Sequence, residues 1–424
     1  MNLIEKNIIF IICIIAFFSF LPIINIKFAG FDLEWLILRV QGLLVGMILF
    51  ICFLVAIFEI KNKKIFQNFK LKEIDFFVLL FFVIYGLFST INGFLRQNSI
   101  IYIVGDAFHL FSFAFLYFIS AIFIQRENIK KIINFSVYLF FILMSIDVVY
   151  AFYQYFESGY FRKTAGYFFI LPFIYFFIKY VKSQRAEKKS WKVLFSLLTS
   201  IFIIFFTVSF ALVMTLFLII LIFTFFSSYY KKNYLKFMLI IFFIIGLFFI
   251  LESFDKASIL ERISLRALLK SDQVKENIYS YSYRTEEIND IFYTMKDNYL
   301  NFIIGTGEGS FRELSLEGNK SLFKFINLHT IHFTPGSVFF RMGLIGLVIF
   351  ILFLLSTLLF LYNKYKKIDC SQQSNKFYLE VIFFFFIACI ILSIRGYGII
   401  NAPILAILLG LARNKNFVES TFLK

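Results

Sequence analysis

The chain has 424 residues, of which 61% are hydrophobic and 67 are phenylalanine, and its formal net charge is +16. Apolar runs of about 17 residues or more recur along its whole length, which excludes a single soluble domain. A backbone in lipid must satisfy its own hydrogen bonds, and the alternating pattern of a membrane β-barrel is absent. The predicted fold class is therefore an all-α polytopic membrane protein.

The apolar runs predict about twelve transmembrane helices. The first follows a single lysine, Lys6, and has no small-residue cleavage site, so we expect a retained span rather than a signal peptide. The run 193–230 is too long for one crossing of ~20 residues and predicts a tight hairpin near 207–210. The predicted spans are residues 8–24, 35–58, 76–94, 107–124, 132–156, 165–181, 193–208, 210–230, 237–252, 336–362, 377–394 and 396–411.

Lysine and arginine are concentrated in alternate connectors. With the N-terminus inside, the N-terminal segment, the connectors on that side and the C-terminal tail together hold 24 of the 42 basic residues. The short connectors on the other side hold only a handful. By the positive-inside rule, both termini are predicted to be cytoplasmic. The same distribution accounts for the positive net charge, so nucleic acid is excluded as a partner.

One connector, residues 253–335, breaks the pattern of short loops. It lies on the outer face, is nearly neutral, and mixes charged with aromatic and aliphatic residues at helical spacing. A long ordered loop is where function should be sought. The predicted organisation is a bundle of about nine spans (1–252), this loop subdomain with short helices (253–335), and about three further spans with a short tail (336–424).

The outer loop carries the residues best suited to chemistry. In chain order these are Arg284 at the start of an amphipathic helix, the turn "GTGEGSF" (305–311), and the pair His329 and His332. Glycine in such a turn allows φ > 0. Two histidines without a nearby cysteine or third histidine are too few for zinc, so neither a metal nor a cofactor is predicted.

The order and spacing of these residues resemble the signature of the O-antigen polymerase and ligase superfamily, whose members are polytopic with one dominant periplasmic loop. A second stretch, "FRKTAGYFFILP", resembles the shorter Arg-x-x-x-Gly loop of that family and contains Arg162. Two family features differ here: Phe333 follows the histidine where asparagine is common, and Phe210 follows "TVS" where an arginine is common. The matching positions of the main signature are Arg284, Gly305, Gly307, Gly309, Phe311, His332, Gly343 and Gly346.

The resemblance implies sugar transfer at the periplasmic face of the bacterial inner membrane. The donor would be an undecaprenyl-pyrophosphate-linked glycan and the acceptor a second glycan, with a chain-length regulator as a further partner. Arginine binds phosphate oxygens bidentately, so Arg162 and Arg284 are expected to bind the pyrophosphate at the headgroup level of the lipid membrane. Arg341 and Arg395 are weaker candidates for the same role. His332 would accept or orient the acceptor proton, with His329 and the turn glycines Gly305, Gly307 and Gly309 in support.

Several alternatives remain open at this point. His332 could be an interfacial histidine satisfied by loop backbone, Arg162 a snorkelling anchor, and the glycine turn a plain turn rather than a phosphate cradle. Asp147 lies inside the fifth span and either pairs with His109 or Arg39 or lines a cavity. Asp106 and His109 begin the fourth span and could face the same cavity.

Three functions fit the resemblance and the topology. Polymerisation of lipid-linked repeat units is favoured slightly over ligation of the glycan to lipid A-core, because of the two departures at Phe333 and Phe210. A lipid-linked oligosaccharide flippase or other transporter could also have twelve spans, although one large outer loop argues against repeat-related halves.

Overall fold

The computed structural model describes residues 3–20, 74–158, 169–185, 190–206, 210–226, 287–296, 298–311, 334–368, 373–393 and 402–414. Regular structure within these ranges is helical, with no β-strand among them. The helices are α1 (Leu3–Phe20), α2 (Ile74–Leu95), α3 (Ile100–Phe123), α4 (Arg126–Ser158), α5 (Ile170–Arg185), α6 (Trp191–Phe206), α7 (Phe210–Phe226), α8 (287–296), α9 (Tyr299–Ile304), α10 (Thr334–Lys367), α11 (Gln373–Ser393) and α12 (Pro403–Arg413).

Five stretches in the described part of the chain are long and apolar enough to cross a membrane. They are Phe77–Leu95, Ile100–Phe123, Glu127–Ile146, Thr334–Lys367 and Ser374–Ser393. Their surfaces expose large apolar side chains such as Phe81 and Ile142, which suit a lipid environment. The chain is thus a multi-pass helical membrane protein. The count of twelve spans and the orientation stay predictions, and spans 35–58 and 237–252 lie outside the described residues.

The described helices agree with the predicted spans in most places. The run 193–230 divides into α6 and α7, as expected from its length. Helix α3 begins at Ile100 rather than 107. Two short helices, α8 and α9, lie within the predicted outer loop 253–335, while most of that loop falls outside the described residues.

One compact unit contains α1, α4, α5, α6, α7 and most of α11. The Glu5 carboxylate accepts hydrogen bonds from the Gln125 N–H (2.7 Å) and from Asn128 Nδ2 (2.8 Å), so α1 caps the first turn of α4. The side chain of Asn134 on α4 accepts from Tyr175 OH (2.9 Å) on α5 and bonds Tyr378 OH (2.9 Å) on α11. These hydrogen bonds join three helices through polar groups that lipid could not satisfy.

The second compact unit contains α2, α3, α8, α9, α10 and α12. Phe353 of α10 stacks on Phe82 of α2 and meets Phe113 of α3 edge-on, with ring centroids 6.3 and 6.2 Å apart. Helix α12 is buried along its length against α3, where a Cβ on Gly410 would lie 2.3 Å from the Tyr117 carbonyl oxygen. The core of this unit is therefore the contact of α3 with α2, α10 and α12.

Helix α10 is broken near its beginning. Gly343 has φ 67° and ψ −168°, which is outside the helical region, so the residues on either side form two helices. The part after Gly343 has about 24 residues and is roughly 36 Å long, enough to cross a hydrocarbon core of ~30 Å by itself. The sequence predicted one uninterrupted span, 336–362. The break instead leaves Arg341 ahead of the crossing segment, because the N–H groups of residues 306 and 307 bond to the carbonyl oxygens of residues 340 and 341.

Candidate functional site

A glycine-rich turn, Gly305 to Phe311, packs between α2, α3 and the break in α10. Each of its backbone N–H groups from 305 to 309 has an acceptor inside the protein. The acceptors, in the order of residues 305 to 309, are the carbonyl oxygens of Asn301 (2.8 Å), Phe340 (2.9 Å), Arg341 (3.0 Å) and Ser89 (3.2 Å), and Asp106 Oδ2 (3.0 Å). Since these donors are already used, the contacts favour a plain structural turn over a cradle for phosphate.

The turn meets α10 backbone to backbone at two glycines. Gly305 and Gly343 have φ of 84° and 67°, a region that other residues rarely adopt. A Cβ on Gly305 would lie 2.2 Å from the Arg341 carbonyl oxygen, and a Cβ on Gly343 would lie 2.3 Å from the Ile303 carbonyl oxygen. Only hydrogen fits at both positions, so the two glycines set the distance between turn and helix.

The other two turn glycines approach α2 and α3 as closely. A Cβ on Gly307 would lie 2.5 Å from the Gly93 nitrogen of α2, and one on Gly309 would lie 2.6 Å from Ile103 Cγ1 of α3. The three turn glycines of the predicted signature, together with Gly343 of α10, thus act as contact points. Their shared role is to let the turn sit in the space between three helices.

Side-chain amides and hydroxyls complete the turn. Asn98 Nδ2 donates to the carbonyl oxygens of Thr306 (3.2 Å) and Glu308 (2.9 Å), and Asn92 Nδ2 donates to that of Gly305 (3.3 Å). Ser89 Oγ donates to the Arg341 carbonyl oxygen at 3.0 Å. That carbonyl lies next to the break in α10, so the bond helps to replace hydrogen bonds that a continuous helix would make.

Three ionisable side chains meet beside the turn: Asp106 from α3, Glu308 from the turn and Arg341 from α10. Arg341 Nη1 lies 2.8 Å from Asp106 Oδ1, and Arg341 Nε lies 3.9 Å from Glu308 Oε2. Ser89 Oγ is 3.5 Å from Glu308 Oε1. The side chains of Asp106 and Glu308 are 9% and 7% exposed and that of Arg341 is 17% exposed, so Arg341 is the member best placed to meet a ligand.

The protonation of Glu308 is set by this environment. Burial raises the pKa of Glu308 to about 7; the nearby Arg341 opposes the rise, and the charge of Asp106 and its hydrogen bond to Glu308 reinforce it. One arginine and two carboxylates are electrically balanced when one carboxylate holds a proton. The cluster is therefore close to neutral when Glu308 is protonated.

Several of the predicted site residues lie outside the described part of the chain. These are Arg162, Arg284, His329, His332 and Arg395, and also Arg39. Asp147 lies in α4, but its side chain is outside the described part, so its predicted pairing stays a prediction.

The described segments that continue from two of these residues pack against each other. The described part of α8 starts three residues after Arg284, and α10 begins two residues after His332. Ile291 and Met295 of α8 form a buried apolar cluster with Phe339 and Phe340 of α10. The neighbouring segments of the predicted base and the predicted phosphate-binding arginine thus share one contact surface.

Sequence reasoning gave little weight to two members of the charged cluster. Glu308 lies inside the glycine turn, and the turn's sequence pattern predicts a role only for its glycines. Asp106 is predicted only to face a cavity, with no partner named. A carboxylate beside an apolar run is costly unless it is paired, and this is the signal by which both could have been found. Arg96 is a third residue of this region that the sequence did not single out. Its guanidinium donates to Asn92 Oδ1 (2.9 Å) and to Asn301 Oδ1, which joins the end of α2 to α9.

The class defined by this architecture is a multi-pass helical membrane protein with a buried Asp–Arg–Glu cluster beside a glycine turn. Comparison with protein-family models, with curated proteins and with solved structures gives no match for this chain.

Proposed function

We propose that this chain is a glycosyltransferase that polymerises undecaprenyl-pyrophosphate-linked oligosaccharide repeat units at the periplasmic face of the bacterial inner membrane. The observation that carries the proposal is the convergence of its signature residues. Gly305, Gly307, Gly309 and Gly343 pack at one place, beside Arg341 and directly ahead of a segment long enough to cross the membrane. The lipid pyrophosphate of such a donor would lie at this level of the membrane.

The proposed reaction needs fixed cations and one base. An acceptor hydroxyl oxygen bonds to the anomeric carbon of the donor sugar, and the bond from that carbon to the pyrophosphate oxygen breaks. His332 takes the hydroxyl proton, and Arg162, Arg284 and Arg341 stabilise the negative charge on the departing lipid pyrophosphate. A base of this kind contributes ~10²–10⁴ in rate.

The packing of α8 on α10 supports the pairing of Arg284 with His332. Their flanking segments meet through Ile291, Met295, Phe339 and Phe340, while each predicted residue lies within three positions of its helix. Aromatic contacts between Phe339 and both Phe292 and Phe302 extend this surface.

Ligation of the finished glycan to lipid A-core is the alternative reaction. It uses the same donor and differs only in the acceptor, so the same residues would serve.

Transport of a lipid-linked oligosaccharide is a second alternative, and one observation favours it. Broken helices beside charged groups at membrane depth form the binding sites of many secondary transporters. The break of α10 at Gly343 beside the paired Asp106 and Arg341 has this form.

A glycan gel from a strain that lacks the gene, complemented with wild-type protein, His332→Ala or His329→Ala, separates these functions. Core bearing a single repeat unit without a ladder in the His332→Ala strain indicates a polymerase with a working His332. Bare core with long glycan on the lipid carrier indicates a ligase, and repeat units trapped on the cytoplasmic face indicate a flippase. His329→Ala, three residues away, tests the supporting role of His329 and should weaken the ladder without abolishing it. Gly105→Ala, where an added Cβ would meet nothing within 4 Å, is the control and should retain the ladder.

A normal ladder from well-expressed His332→Ala protein would exclude a catalytic role for this histidine. Normal surface glycan in the strain that lacks the gene would remove the proposed function altogether. If a chain-length regulator is a partner, its deletion should change the modal length of the ladder and leave polymerisation intact.

A further inference from the structure

Asp106 connects the glycine turn to the arginine of α10. Its Oδ2 accepts the Gly309 N–H at 3.0 Å, and its Oδ1 pairs with Arg341 Nη1 at 2.8 Å. One buried carboxylate on α3 therefore fixes both the turn and the guanidinium.

The second carboxylate, that of Glu308, lies farther from the Arg341 guanidinium than the Asp106 carboxylate does. Its Oε2 is 3.9 Å from Arg341 Nε, compared with 2.8 Å for the Asp106 contact. Burial raises the pKa of Glu308 to about 7 and the neighbouring Asp106 reinforces the rise, so Glu308 is protonated more readily than an ordinary carboxyl group. The arginine is thus held chiefly by Asp106, and the cluster carries no large excess of negative charge that would repel an anion.

A held arginine binds phosphate better than a mobile one. An arginine side chain has about 2 kcal/mol of rotamer entropy, which a ligand would otherwise have to overcome. A guanidinium also carries five N–H donors, so it can bond a carboxylate and a phosphate oxygen at once. Arg341 is the most exposed member of the cluster and lies ahead of the membrane-crossing part of α10.

We propose that Asp106 is a positioning residue, which holds Arg341 against the glycine turn so that the guanidinium is preorganised for the pyrophosphate of a lipid-linked donor. This inference rests on the proposed function and adds a residue that acts through another. Asp106 itself does not touch the substrate. Its removal should raise the donor concentration needed for half-maximal rate and leave the chemical step nearly unchanged.

The test uses the full-length protein, purified in dodecylmaltoside micelles, with radiolabelled undecaprenyl pyrophosphate as the binding probe. Asp106→Asn keeps an acceptor for Gly309 but loses the ion pair, and it should weaken binding about tenfold, or 1.4 kcal/mol. Arg341→Gln should weaken binding at least as much. The double variant should be no weaker than Arg341→Gln alone, because Asp106 acts only through Arg341.

Two further variants keep the test decisive. Gly105→Ala is the matched control on α3, since a Cβ there would meet nothing within 4 Å, and it should bind as the wild type does. If Asp106→Asn fails to fold, Arg341→Lys keeps the charge and loses the fixed fork geometry, and it should bind several-fold more weakly. In sugar-transfer assays on a lipid-linked repeat unit, Asp106→Asn should raise KM about tenfold and keep kcat within about twofold of wild type.

The outcomes separate this inference from the proposed function. The positioning role alone is overturned if the wild-type protein binds the probe and transfers sugar, and folded Asp106→Asn or Arg341→Lys protein does so equally well. The positioning role is also overturned if the losses from Asp106→Asn and Arg341→Gln simply add. Wild-type protein that neither binds the probe nor transfers sugar would overturn the proposed function together with the inference.

Discussion

Substituting alanine for Gly305 tests whether the glycine turn holds α10 in its broken form. The wild-type backbone at this position has φ 84°, and the added Cβ would lie 2.2 Å from the Arg341 carbonyl oxygen. The unfavourable backbone conformation costs about 1–3 kcal/mol for a residue other than glycine. Moving the two backbones apart also weakens the hydrogen bonds from the Thr306 and Gly307 N–H groups, each worth about 1 kcal/mol.

The expected destabilisation by Gly305→Ala is therefore about 3–5 kcal/mol. The assay heats the full chain, fused to a fluorescent protein and solubilised in dodecylmaltoside, and measures the folded fraction by size-exclusion chromatography. The apparent midpoint should fall by about 3–6 °C. Gly105→Ala is the control, because alanine meets nothing within 4 Å there and favours the helix by up to about 1 kcal/mol. A Gly305→Ala midpoint equal to that of the control would refute the reasoning.

Two other predictions concern buried polar groups. Burial raises the pKa of Glu308 from 4.5 to about 7, so between these pH values the folded state binds more protons than the unfolded state. The contribution of Glu308 to the free energy of unfolding is therefore full below pH 4.5 and is lost as the pH rises through 7. The loss is about 3 kcal/mol; Glu308→Gln should flatten this part of a stability–pH profile, and an unchanged slope would contradict the assignment. Asn134→Leu should lower the free energy of unfolding by about 1–3 kcal/mol, because the Tyr175 and Tyr378 hydroxyls lose their shared partner. In the Asn134→Leu protein, replacing both tyrosines by phenylalanine should restore most of the lost stability. If the midpoint of thermal unfolding stays low in that triple variant, the hydrogen bonds shared through Asn134 are not the cause of the loss.

The helices were largely predictable from the sequence because their signal is local. Long apolar runs set the position of α2 to within two residues at each end, whereas α4 begins six residues before the predicted span 132–156. The start of α3 was predicted seven residues late, since "GDAFH" is polar enough to resemble a loop. Asp106 is instead accommodated by a pair with Arg341, and a pair between distant parts of the chain leaves no trace in local hydropathy.

The site was predictable only as an order of residues. The glycines of the turn were identified by their spacing, but whether they form a plain turn or a phosphate cradle depended on where the backbone N–H groups point. Their acceptors come from Ser89, Asp106, Phe340 and Arg341, which no pattern in residues 305–311 could reveal. The predicted catalytic role of His332 remains a prediction.

The long separation of these contacts has a consequence for biosynthesis. Ser89 precedes its partner Arg341 by 252 residues, which a ribosome adding about 5–20 residues per second takes roughly 13–50 s to translate. During that interval α2 and α3 are already available for membrane insertion, while the partner of Asp106 has yet to be made. Inserting a charged carboxylate at the centre of a membrane helix costs roughly 2.5–3.5 kcal/mol of free energy. The cost is smaller near a helix end and smaller again when the carboxylate is protonated. Until Arg341 is synthesised, Asp106 on the inserted pair of helices α2 and α3 lacks the arginine with which it pairs. We therefore expect membrane proteases to degrade nascent chains that end before Arg341.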